Sequence, residues 1–362
     1  MNEVQQMIAE SVKRMFADMV DTRLIDAAEA GVWPAALWQA VEESGFIHVL
    51  VGQGAEAGNG LWDNALPVLH AIGFYRVPLP LSETMMAHAL LAQQGLSAPA
   101  GPLTVLQLDA QPLAGGAGWQ MTNGRLVLEG VAQAVPWARF ARAIVVAGLL
   151  GQRQMIGLVD ADAPGLTVSE GHNIAGEARD QVSFNQTPCS TYVYCDDTMS
   201  DAPVALYGAL ARAVMMAGAA QSVLEQSVEY ANDRVQFGRT IGKFQAIQQS
   251  LAVLAGEVAS AQSAVAAASR AARPGPQFFD VAVAKIRAGQ AASVAANIAH
   301  QVHGAICFTY EHSLHYATRR LWSWRAEFGS ESFWAEHLGR QAIKAGGAAF
   351  WRNLTERQSM EV

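Results

Sequence analysis

A chain of 362 residues, 51% apolar and only 15% charged, is long enough for two or three packed units and too apolar to be a disordered segment. Its formal charge is −8 and it has no Lys/Arg run, which excludes a nucleic-acid binder built on a basic patch; an anionic ligand would have to be met by local donors. The three cysteines, Cys189, Cys195 and Cys307, match neither a disulfide framework nor a zinc spacing, so reduced thiols in a cytoplasmic protein are expected.

Met1 to Gln6 open an amphipathic segment without the charged and apolar regions of a signal peptide. No stretch is expected to be apolar enough to span a bilayer. Met7, Val12, Met15, Phe16 and Met19 recur at helical steps, as do Leu37, Trp38 and Val41 in a segment that stops at Gly45. The Gly-rich stretch 52–58 reads as a connector between helices, because it lacks the strand-then-helix frame of a phosphate loop. A helix over 61–75 follows, ended by Pro78 and Pro80. From Leu103 onward the pattern changes. Residues 143–147, 155–159 and 191–195 are short β-rich runs punctuated by Gly and Pro, the mark of a small antiparallel β-domain. Asp201 and Pro203 then suit the first turn of a long Ala-rich helix to about Asn232, with Arg212 in a buried stretch. Further helices are expected over 244–272 and 278–303, separated by Arg273-Pro274-Gly275-Pro276.

Arg234-Val235-Gln236-Phe237-Gly238 lies at the end of the long helix. Arg234 offers a fork of donors suited to a pyrophosphate, Phe237 a flat face, and Gly238 a tight turn. Taken alone, these five residues fit C-capping and packing better than a cofactor site. Phe244-Gln245-Ala246-Ile247-Gln248 opens the next helix, and Gln301-Val302-His303-Gly304 ends a later one. Their amides supply both donors and acceptors. His300, His303, His312 and His315 are closely spaced, yet no acidic or Cys ligand joins them in a metal pattern, and no metal is expected. There is no G-x-S-x-G nucleophile elbow. The aromatic cluster of Trp322, Trp324, Phe333 and Trp334 suits packing or a subunit interface, with a substrate wall as the other reading.

The order R-x-Q-F-G, F-Q-x-x-Q, then Q-x-H-G with Glu311 and Arg319-Arg320 resembles the C-terminal pattern of acyl-CoA dehydrogenases. Leu37-Trp38 with Glu43-Ser44-Gly45-Phe46, Pro78-Leu79-Pro80 with Glu83-Thr84, and Asp162-Ala163-Pro164-Gly165-Leu166 extend the likeness over nearly the whole chain. The resemblance implies an α+β fold: an N-terminal α-helical domain (1–100), a central antiparallel β-domain (101–200) and a C-terminal four-helix bundle (201–362) that contacts FAD and forms oligomers. It implies FAD as cofactor, an acyl-CoA substrate, and cofactor-contacting roles for Arg234, Gln236, Phe237, Gln245, Gln301, His303 and Gly304, directed at the FAD of a neighbouring subunit.

The family reaction also needs a carboxylate base, and here the chain departs from the pattern. The two positions that carry the base in relatives fall at Gly208 and Phe328; Glu327 is one residue early. The CoA-contacting Asp and Arg fall at Leu206 and Ala209, leaving Arg212 as a substitute one turn on. Leu106-Gln107-Leu108-Asp109 and Ala134-Val135-Pro136-Trp137 replace the segments beside the flavin, with Trp137 either a shifted aromatic or a surface or packing residue. The pattern resembles the non-catalytic subunit of heteromeric acyl-CoA dehydrogenases of steroid and other bulky substrates, paired with a catalytic paralogue. A homomeric enzyme with Glu327 as displaced base, and a scaffold that has lost flavin, are the other two readings.

Overall fold

The computed structural model describes residues 3–51, 62–109, 115–195, 199, 200, 202–273 and 275–356. The Gly-rich stretch 52–58 and Asp201 therefore lie outside the described residues. Contacts group the chain into two compact units. The first holds 1–68, 77–208 and 273–275; the second holds 69–76, 209–272 and 276–362.

In the first unit, helix α1 (Glu3–Met19) buries Val12 and Phe16 of its apolar stripe. Helix α2 (Thr22–Glu29) is capped by Asp21, whose carboxylate accepts the Leu24 N–H at 2.8 Å. Helix α3 (Ala35–Ser44) buries Leu37, Trp38 and Val41 and stops at Gly45, which is left-handed at φ 74°. Helix α4 (Trp62–Tyr75) begins in this unit and ends in the second, and α5 (Leu81–Gln93) is almost wholly buried. Thr84 on α5 binds both backbone groups of Leu103, fastening the first strand.

Eight strands then form two four-stranded sheets. The first sheet orders β1 (Leu103–Gln107), β4 (Ala143–Leu150), β5 (Arg153–Asp160) and β8 (Thr191–Tyr194). The second orders β2 (Gly118–Thr122), β3 (Arg125–Pro136), β7 (Arg179–Pro188) and β6 (Leu166–Ser169). The pairings are antiparallel, as expected, except β1 with β4, which is parallel. The connection between them is long and includes β2 and β3 of the second sheet, the kind of crossover that parallel neighbours require. Between β2 and β3, Asn123 and Gly124 both have positive φ, the two-residue turn whose twist suits a hairpin. Leu128, Val135, Ile144, Val146, Val159, Val182 and Phe184 form the core. Trp119 packs against it; a Cβ at Gly148 or Gly157 would come within 2.9 or 3.2 Å of its indole, so these strand glycines leave room for the ring.

The long helix α6 (Pro203–Asp233) begins in the first unit and continues in the second. The second unit adds α7 (Gln245–Ala271), α8 (Phe278–His303), α9 (Leu314–Ala326), α10 (Glu331–Ala345) and α11 (Gly347–Glu356). The helices over 245–271 and 278–303 match the ends expected from sequence. Close approach of α4 and α6 depends on two glycines: a Cβ on Gly73 would lie 1.8 Å from the Met215 carbonyl oxygen, and one on Gly218 would lie 2.0 Å from that of His70. By length and composition α6 and α7 are both apolar enough to cross a membrane, contrary to expectation. Their apolar character comes from many Ala residues with Val and Leu among them, and the apolar window of α6 is 94% buried within the protein, as befits a core helix.

Candidate functional site

The backbone of Arg234 ends the α6 ladder, its N–H donating to the Tyr230 carbonyl at 2.9 Å. The chain then turns back as a two-stranded hairpin, β9 (Val235–Gln236) and β10 (Arg239–Thr240), closed by Ile241 N–H to the Arg234 carbonyl at 2.8 Å. Phe237 (φ 53°) and Gly238 (φ 78°) form its tip, again a turn with both central residues left-handed. The Phe237 ring is 92% exposed, so the hairpin presents an uncovered aromatic face. Behind it, Phe244 stands edge-on to Phe237 at 6.2 Å and lies under the Arg239 guanidinium at 4.2 Å.

Arg234, Gln236, Gln245 and Gln301 are exposed, and none has a side-chain hydrogen-bond partner among the described residues. Gln245 begins α7 and Gln301 lies in the last turn of α8, which ends at Gly304 (φ 66°, ψ −144°), a backbone conformation open essentially to glycine alone. His303 differs from the rest of this set. It is 4% exposed, donates from Nδ1 to the Ala299 carbonyl at 2.8 Å and stacks on Tyr230 at 4.4 Å. That stack joins the end of α6 to the end of α8 and brings the hairpin and the Gln301–Gly304 turn to one end of the unit. The exposed set offers a guanidinium, three amides and a ring, the donors and surface suited to an anionic, planar ligand.

Glu327 lies elsewhere in the second unit, in the turn between α9 and α10. Its carboxylate accepts the Nε–H of Arg212 at 2.6 Å, and Arg212 is 1% exposed. The Arg212 guanidinium also lies 5.4 Å from the ring centroid of Phe328, so the substitute expected to reach CoA is instead turned into the core. Lys285, on α8, donates to the carbonyls of Trp324 (3.3 Å), Arg325 (2.8 Å) and Gly329 (2.7 Å). Trp334 Nε1 donates to the Phe328 carbonyl at 3.0 Å. These bonds hold Phe328 at φ 53° and Gly329 at φ 91°. Arg325 pairs with Glu331 beside them. Burial pulls Lys285 down to about 7; Glu327 and Glu331 work against that pull. Gly208 carries no side chain, Phe328 carries an apolar ring, and Leu206 and Ala209 are buried apolar residues.

Lys285 and Tyr230 were not singled out from sequence. Lys285 had a signal, as the lone charge in Val281-Ala282-Val283-Ala284-Lys285-Ile286. Tyr230 had one in its place a single turn before Arg234.

Residues 205–343 match the family model for the acyl-CoA dehydrogenase C-terminal domain. Over 321 residues, 88% of this chain and 91% of the relative, it is 31% identical to acyl-CoA dehydrogenase IpdE2 of Mycobacterium tuberculosis. The chain belongs to the acyl-CoA dehydrogenase family. Its fold is that of the family as well: the ChsE4-ChsE5 complex from Mycobacterium tuberculosis superposes with a TM-score of 0.81 at 21% identity, covering 96% of this chain and 99% of that one. A glutaryl-coenzyme A dehydrogenase in complex with glutaryl-CoA gives 0.81 at 19% identity, covering 96% of each.

In this member of the family, the β-strand segments that differ from the family pattern have structural employment. Gln107 donates to the Ala147 carbonyl at 3.2 Å and accepts the Val204 N–H at 3.2 Å, satisfying one of the orphan donors at the start of α6. Trp137 is 5% exposed, left-handed at φ 55° and packed on Phe140, which stacks on Trp33 at 5.2 Å. It is a packing residue.

Proposed function

We propose that this chain is a subunit of an FAD-dependent acyl-CoA dehydrogenase, and that it completes the FAD site of a catalytic paralogue. Family membership supports an oxidoreductase acting on CH–CH groups. The α-proton of an acyl thioester goes to a carboxylate, the β-hydride leaves with its electron pair, and a carbon–carbon double bond forms. FAD, when bound, supplies the hydride acceptor. The observation that carries the reading is an asymmetry within this chain. The exposed donors Arg234, Gln236, Gln245 and Gln301 are uncommitted, whereas neither family base position holds a carboxylate and Glu327 is committed to Arg212.

The donor set fits FAD. Arg234 would meet a pyrophosphate oxygen, Phe237 an aromatic ring, and the amides an adenosine or phosphate rim; the glycine at 304 admits close backbone approach. A glutaryl-CoA dehydrogenase of the same fold from Mycobacterium smegmatis is a complex with FADH2. Assembly with a paralogue is supported by the ChsE4-ChsE5 complex and by a Tcur3481-Tcur3483 steroid dehydrogenase, both of this fold; the second also supports a bulky acyl-CoA as substrate. The outward face of α7 suits such assembly. Its apolar window is only 28% buried, and Val253 is exposed. The three cysteines form no disulfide, in keeping with a cytoplasmic location.

Expression alone and beside a Glu-containing paralogue tests the reading. A colourless chain that turns yellow and active only with its partner is expected. A chain that is yellow by itself and bleaches with an acyl-CoA would favour a homomeric enzyme, and one that stays colourless with every paralogue would favour a scaffold.

A further inference from the structure

Four histidines cluster where α8 ends and α9 begins, and the function proposed above leaves most of them unused. Their hydrogen bonds specify which nitrogen carries the proton. His303 Nδ1 faces the Ala299 carbonyl at 2.8 Å, which can only accept, so the proton is on Nδ1. Its Nε2 is buried without a hydrogen-bond partner. His312 Nδ1 accepts the Leu314 N–H at 3.1 Å, the first N–H of α9, so this nitrogen is bare. The two rings meet at 4.8 Å, and Tyr230 contacts both: stacked on His303 at 4.4 Å and edge-on to His312 at 6.1 Å. Tyr230 in turn receives the Arg234 N–H through its carbonyl, while His303 precedes Gly304.

We propose that Tyr230 and His312 are positioning residues that clamp neutral His303 as a strut, holding the Arg234–Gly238 hairpin and the Gln301–Gly304 turn in one fixed arrangement. The consequence for flavin rests on the FAD reading above; the strut itself does not. A His303 at 4% exposure, between two rings, orders the donors around it without touching the ligand.

The strut works only while its imidazoles are neutral. A second proton on His303 would sit on the buried Nε2, where the Gln226 backbone draws it only weakly against burial, and one on His312 would point a donor at the Leu314 N–H. Burial first, and then the neighbouring histidines, lower His303 and His312 below their ordinary 6.5; burial lowers His300. The unfolded chain therefore takes up protons first, and the arrangement weakens as pH falls below 6.5. The groups facing the pair are Glu229 and Tyr230 on α6, His300 on α8 and His315 on α9; beyond them, Cys307 bonds to the His300 carbonyl, Tyr310 and Tyr316 contact His315, and Arg319 lies over Tyr316. Of these, Glu229 draws His312 back upward and His315 pushes it down.

Amide hydrogen exchange on the full chain, corrected for intrinsic rate, tests the strut. Tyr230→Ala is expected to raise exchange about two- to tenfold over both 234–241 and 304–308, for loss of an aromatic stack of about 0.5–1.5 kcal/mol. Tyr230→Phe, which keeps the ring, restores both segments. Acidification of the unaltered chain from pH 8 to pH 5 reproduces the loosening, and His303→Gln, which still donates to Ala299 but cannot charge, blunts it. A response in only one segment, no rescue by Phe, or no effect of acid would overturn the proposal. Should Tyr230→Ala not fold, Tyr230→Leu makes the same comparison. FAD retention, read from flavin absorbance of the co-purified heteromer, is expected to fall in parallel. If exchange behaves as expected and flavin stays bound, the strut stands and the FAD reading of this end of the unit fails.

Discussion

Three backbone carbonyls around one ammonium make Lys285 the cap of the α9 C-terminus, where the helix dipole also favours positive charge. Burial nevertheless holds its proton less tightly than water does, bringing it to about 7 from 10.5. Below pH 7 both folded and unfolded chains are charged and the burial cost is complete. Between 7 and 10.5 the folded chain is the first to shed its proton, so stability rises with pH, by at most about 1.4 kcal/mol per pH unit. Urea unfolding across this range should show the rise in the unaltered chain and a flatter profile in Lys285→Met, together with a loss of about 1–3 kcal/mol at pH 7 from the carbonyls left bare. Glu327 gives a second test at this scale. Glu327→Gln should cost about 2 kcal/mol of stability, because the buried Arg212 loses its counterion, and leave turnover of the assembled enzyme within about twofold. A thousandfold loss of turnover with unchanged stability would make Glu327 the base.

Among the elements, the helices of the second unit illustrate two uses of glycine. Gly218 sits where α6 meets α4, and Gly218→Ala must drive these helices apart; a loss of about 1–3 kcal/mol is expected in chemical denaturation. Gly256, on the exposed side of α7, has open space around its missing Cβ, so Gly256→Ala should raise the stability of the isolated chain by about 0.5–1 kcal/mol. Helices and strands also differed in how readily sequence revealed them. α7 and α8 are long, Ala-rich and separated in sequence by Pro and Gly residues, so their ends are marked by residues that cannot continue a helix. Of the eight strands in the two sheets, only β4, β5 and β8 were anticipated. β3 and β7 put polar side chains on one face, and β3 is broken by two bulges, so neither reads as a continuous apolar run.

For the whole molecule, the exposed hairpin predicts a separation of stability from assembly. Arg234→Ala removes no side-chain hydrogen bond, ion pair or ring contact made within the described residues, so the melting temperature of the isolated chain should hold. In the heteromer the same change should weaken FAD retention by about 10- to 100-fold, the loss of one hydrogen bond to a charged group, measured by flavin release on dilution. A melting temperature that falls with no change in flavin binding would return Arg234 to a packing role. The family, the order of helices and strands, and the segments carrying the exposed donors were legible because they depend on local pattern: helix ends, turn glycines and the spacing of Arg, Phe and Gln along single elements. The engagements of Glu327, His303, Gln107 and Trp137 were not. Each is decided by a residue far away in sequence or by the next turn of another element: Arg212 for Glu327, Tyr230 for His303, Val204 for Gln107, Phe140 and Trp33 for Trp137. A sequence specifies which side chains are present on each helix and strand. Whether a carboxylate is committed to a cation, or an imidazole is shut between two rings, depends on distances that exist only once the helices and sheets have packed.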